Sequence, residues 1–130
     1  MEQVHFTSIY WMFLLPALAA GADILTGLLQ AGINNCYNSS VMRKGLYRKL
    51  GELGCVIMAF AVSQAITLPI NITSCVSIYI VIMELISVLE NLSAAGVPFP
   101  VWILKKLKKA ADKMAEEPAE EQKEDKRDDA

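Results

Sequence analysis

Apolar residues gather in three long runs separated by polar ones. A helix needs roughly 20 apolar residues to cross a bilayer core of about 30 Å. The first run, residues 9–32, reads Ile9-Tyr-Trp-Met-Phe-Leu-Leu15, continues through Ile24, Leu25, Leu28 and Leu29, and holds one acid, Asp23. The second, residues 53–70, has no charge. The third, residues 75–92, follows a turn at 71–74 and contains Glu84 and Glu90. The pattern predicts an all-α integral membrane protein with three transmembrane helices, and Pro16 predicts a kink in the first. After Gly96-Val-Pro-Phe-Pro100 stops the third span, Phe99, Trp102, Ile103, Leu107, Ala110 and Met114 recur at three-and-four spacing. Residues 97–114 therefore read as an amphipathic helix lying in the headgroup layer, with Trp102 and Lys105, Lys106, Lys108 and Lys109 as its interface contacts. Residues 115–130 lack aromatic side chains and are rich in charge, which predicts a disordered tail.

The spans are not apolar all round. Gly51, Cys55, Ala59, Ser63 and Thr67 recur every four residues and predict a helix-packing stripe, with Gln64 beside it. Ala20, Asp23, Gly27 and Ala31 make a similar line in the first span, and Gly27 joins the packing set. Thr73, Ser77, Glu84, Ser87 and Asn91 share a face of the third, interrupted by Ile80 or Val81. A charge at the centre of a bilayer helix costs about 2.5–3.5 kcal/mol on insertion scales, so Asp23 and Glu84 should face other helices or water. Asp23, Gln64, Glu84, Ser87 and Asn91 are the expected lumen or interhelix contacts. No Lys or Arg lies inside a span, so a salt bridge between spans is not expected.

Composition fits this reading. Hydrophobic residues are 54% of the 130 and mean hydropathy is +0.36, too apolar for a soluble domain of this size. The net charge of −2 averages unlike parts: residues 1–111 carry net +3 and residues 112–130 net −5. All eight basic residues of the first part lie in the loop at 33–52 or after the third span, none in the arm at 1–8 or the turn at 71–74. The positive-inside rule then puts the N-terminus outside and the C-terminus in the cytoplasm. An arm without Lys or Arg argues against a cleaved signal peptide despite Ala17-Leu-Ala19.

Catalytic chemistry is not expected. His5 is the single histidine and has no nucleophile pattern beside it. Cys36, Cys55 and Cys75 form no CxxC and suggest neither a metal site nor a disulfide scaffold. No cofactor, metal or nucleic acid is expected; the lipid bilayer and further copies of the chain are the expected partners.

Three segments, in this order, resemble phage holin family 4, the toxin-secretion and phage-lysis holins. They are Asp23-Ile-Leu-Thr-Gly27, the basic Arg43-Lys-Gly-Leu-Tyr-Arg-Lys49, and Glu84-Leu-Ile-Ser-Val-Leu-Glu-Asn91 followed by Gly96-Val-Pro-Phe-Pro100. The resemblance covers roughly residues 8–110. It implies a homo-oligomer of the bacterial inner membrane that forms lesions and so releases or activates an endolysin, or in some loci exports a protein. The acidic tail departs from the lysine-rich ends associated with that family. Two rivals remain: an antiholin or membrane scaffold regulating a partner, and a small proton-coupled transporter. The transporter would carry Glu in its first helix and have four spans.

Overall fold

The computed structural model describes residues 6–128, with side chains through Glu116. The predicted arm therefore falls partly outside the described residues, and His5 entirely so. Four helices follow one another: α1 (Ile9–Ile33), α2 (Ser39–Ala65), α3 (Ile72–Ala94) and α4 (Val101–Asp128). No strand occurs among the described residues.

Local chemistry sets their ends. Each of the first three starts at a side chain that accepts a free backbone N–H: Ser8 from Tyr10, Asn38 from Ser40 and Val41, Asn71 from Ser74. α3 ends where Gly96 takes φ +87°, a left-handed conformation that glycine adopts without strain. The Val97 and Gly96 amides then bond back to the Leu92 and Ser93 carbonyls. Pro98 and Pro100 prevent the helix from resuming.

α1 and α3 run parallel and pack most extensively on each other. At one end Ser77 meets Met12, and at the other the Asn34 amide donates to the Ala94 carbonyl at 3.2 Å. α2 runs antiparallel to both. Its far end places Phe60 edge-on to Phe13, ring centroids 5.3 Å apart, and Ser63 against Thr73 at 3.3 Å. α4 packs on α3 alone, where Lys108 and Glu90 pair at 2.8 Å. Both are half-exposed, so the pair contributes at most about 1 kcal/mol.

Among the described residues two helices, not three, are long and apolar enough to cross a membrane: α1 and α3. Only 17% and 33% of their apolar windows is buried, unlike core helices of a soluble protein. α2 fails because its helix runs back through the basic segment expected as a loop at 33–52. It carries Arg43, Lys44, Arg48, Lys49 and Glu52 before its apolar part, Leu53–Ala65, which is about 20 Å long. The expected span at 53–70 loses its last residues to a non-helical connection containing Pro69. α4 also departs from expectation: it stays helical to Asp128 where disorder was expected from residue 115. Its Ala, Glu, Lys and Gln are all strong helix formers, although their charge also resembles a disordered segment.

Pro16 sits inside α1 and is buried. A proline has no N–H, so the Met12 carbonyl one turn earlier loses its helical partner. The Ser77 hydroxyl from α3 donates to that carbonyl at 2.7 Å. The two residues are therefore energetically coupled. Ser77→Ala should cost about 1–3 kcal/mol in the wild-type chain and much less in Pro16→Ala. A double-mutant cycle on thermal unfolding of detergent-solubilised protein checks this; equal costs in both backgrounds would refute it.

Candidate functional site: a buried ion triad

The face of α3 that meets the other helices is polar. Thr73, Ser74, Ser77 and Glu84 are buried along it, together with Ile80, while Ser87 and Asn91 are half-buried. The spacing 73, 77, 80, 84, 87, 91 follows the helical repeat and keeps these residues on one line. Glu84 lies near the middle of α3 and Asp23 near the middle of α1, each about 15 Å from its helix's C-terminal end.

α2 supplies their counter-ion. Lys49 is 5% exposed and projects between α1 and α3. Its Nζ is 2.6 Å from Asp23 Oδ2 and 2.5 Å from Glu84 Oε2. One ammonium thus bridges two carboxyl groups, and the formal charges of the three side chains sum to −1. Asn91 completes the Asp23 end: its Nδ2 donates to Asp23 Oδ1 at 2.9 Å and lies 3.2 Å from Thr26 Oγ1. Gly27 lies beside this amide, where a Cβ would meet Asn91 Nδ2 at 3.5 Å, an ordinary van der Waals contact. On the far side of Glu84, Glu52 borders a groove between α2 and α3 of about 360 Å³. Glu52 Oε1 pairs with Arg48 Nε at 3.3 Å, while its buried Oε2 has no partner among the described residues.

The structure gathers Asp23, Glu84, Ser87 and Asn91 around Lys49, which the sequence reading had assigned to a loop. The salt bridge not expected between spans is present because α2 extends far enough to carry a lysine among them. Gln64 is exposed and stands apart, at the opposite end of the bundle. The four-spaced stripe also divides. Ala59 is buried and Ser63 half-buried, but Gly51, Cys55 and Thr67 are exposed, and Thr67 lies beyond the helix. Spacing of four drifts about 40° per step on a helix of 3.6 residues per turn, so such a line leaves the interface. The inward line is instead Lys49, Glu52, Val56, Ala59 and Ser63, at alternating steps of three and four. On α4, Trp102, Lys105, Lys106, Lys108 and Lys109 are exposed, and Lys106 Nζ lies 5.1 Å above the Trp102 ring.

Much of the bundle's exterior is apolar, although Arg48 is exposed beside the triad. Leu14, Leu18, Leu25, Leu29, Ile57 and Met58 are all exposed. A model of the bacteriophage holin family matches residues 3–112, most of the chain. The chain belongs to the bacteriophage holin family. Comparisons with curated proteins and with solved structures return no match. Holin membership and the two long apolar helices together make this a membrane protein, of a family that is generally non-enzymatic.

Proposed function

We propose that this chain is a non-enzymatic holin that accumulates in the bacterial cytoplasmic membrane, associates with copies of itself and opens lesions that release or activate an endolysin. All three bundle helices enter the bilayer in this reading, N-terminus outside and C-terminus inside. The observation that carries it is the Asp23–Lys49–Glu84 triad. α2 is too charged to cross alone, but pairing Lys49 with two carboxylates lets it enter beside α1 and α3. The isolated monomer then presents mostly apolar side chains to lipid and keeps Asp23, Lys49 and Glu84 inside, with Arg43, Lys44 and Arg48 exposed toward the cytoplasmic end of α2. In an assembly, the same helices can turn the polar line of α3 toward a shared wet lumen, where charges regain hydration. Export of a protein through the lesion is a further use of the same opening.

The test is induced expression in a bacterium with and without an endolysin, following membrane potential and turbidity. A holin gives abrupt depolarisation in both strains and clearing only where the endolysin is present. Unchanged potential with delayed lysis by a partner would mark an antiholin, and drug resistance without death would mark a transporter.

A further inference from the structure

A groove of about 750 Å³ opens between α1 and α2. These two helices pack on each other less than any other contacting pair. They part between Lys49 and the short connection at residues 34–38. The walls are apolar, formed by side chains such as Ile24, Leu28, Val41 and Leu46. Asp23 and Lys49 border the deep end and are paired there, with Glu84 as the second partner of Lys49. Arg43 also lines the groove, near the start of α2, and makes no ion pair among the described residues. The groove therefore has a long apolar part and one uncompensated positive charge. That charge sits at the end of the bundle where α4 begins with Trp102 and its lysines.

We infer that this groove holds one anionic phospholipid, with an acyl chain along the apolar walls and its phosphate on the Arg43 guanidinium. The inference rests on the membrane reading above. An amphiphile matches the division of the groove into an apolar length and a cationic mouth, and a guanidinium presents paired donors suited to phosphate oxygens. A helix from a second copy matches less well. The carboxylates of α1–α3 are already engaged: Asp23 and Glu84 by Lys49, Glu52 by Arg48, Glu90 by Lys108. Helices α1–α3 of a second copy would bring Arg43 only carboxylates that already hold a cation, and its other acids lie on α4, which packs outside them on α3.

Native mass spectrometry of the full chain in detergent micelles doped with phosphatidylglycerol or phosphatidylcholine tests this. The wild-type chain should retain one phosphatidylglycerol with roughly tenfold preference over phosphatidylcholine, as a charge-assisted contact implies. Arg43→Gln should abolish the preference, and Leu28→Trp, which fills the groove, should weaken retention of both lipids. Replacing Lys105, Lys106, Lys108 and Lys109 together by glutamine should leave the preference intact. Equal retention of the two lipids by wild type, a preference that survives Arg43→Gln, or one that vanishes with the four lysines would each overturn the inference. Lysis activity does not enter the measurement, so failure here leaves the lesion-forming reading standing, and failure of that reading leaves this one.

Discussion

Lys49→Met is expected to destabilise the fold by about 3–5 kcal/mol, the largest single-residue effect in the molecule. The substitution leaves Asp23 and Glu84 buried without their shared cation. Their burial then acts against the bundle, and α2 loses its polar tie to both neighbours. Thermal unfolding in detergent, or resistance to protease in membranes, reads the loss. The triple variant Asp23→Asn, Lys49→Met, Glu84→Gln removes every charge of the triad together and should recover most of it, because replacing a whole buried ion cluster costs far less than orphaning part of one. If Lys49→Met melted as wild type does, the triad would be a contact without consequence.

Glu84→Leu and Asp23→Leu carry the second large effect, and it falls on timing. Each substitution leaves Lys49 with one carboxylate, so the triad's net −1 becomes a neutral pair. Insertion and accumulation should therefore be retained. Each variant does lose a charge-assisted contact of about 1.5–3 kcal/mol from the closed bundle and a carboxylate from the proposed lumen. Lysis in a timed-expression assay should shift clearly away from the wild-type time in both, with membrane levels of the protein unchanged on immunoblots. Wild-type timing in both variants would remove these carboxylates from the account.

The two long apolar helices were legible because nothing interrupts their composition except one central acid in each and Glu90 near an end. The polar line of α3 was legible for the same reason, since its spacing is the helical repeat itself. α2 was not. Four basic residues before Leu53 read as a loop by composition, yet Lys44 and Arg48 face outward and Arg43 lines the open groove, while Lys49 is buried. The three-and-four line from Lys49 to Ser63 was present in the sequence, but the more regular stripe from Gly51 to Thr67 obscured it. That Lys49 meets both carboxylates depends on how three helices are arranged, and no local pattern encodes it. The tail shows the opposite ambiguity. Glu, Lys, Ala and Gln favour a helix and also characterise disordered chains, so composition alone does not choose between them.

In the proposed lesion, the sealed polar line of α3 comes to face water. Ser77 is fully buried on that line, two turns from Glu84. A Ser77→Cys chain, with Cys36, Cys55 and Cys75 replaced by alanine, can be probed in cells with a membrane-impermeant maleimide before and after depolarisation. The account predicts no labelling before depolarisation and strong labelling after it. A cysteine at position 77 that stays unlabelled in depolarised cells, or is labelled equally at both times, would contradict it.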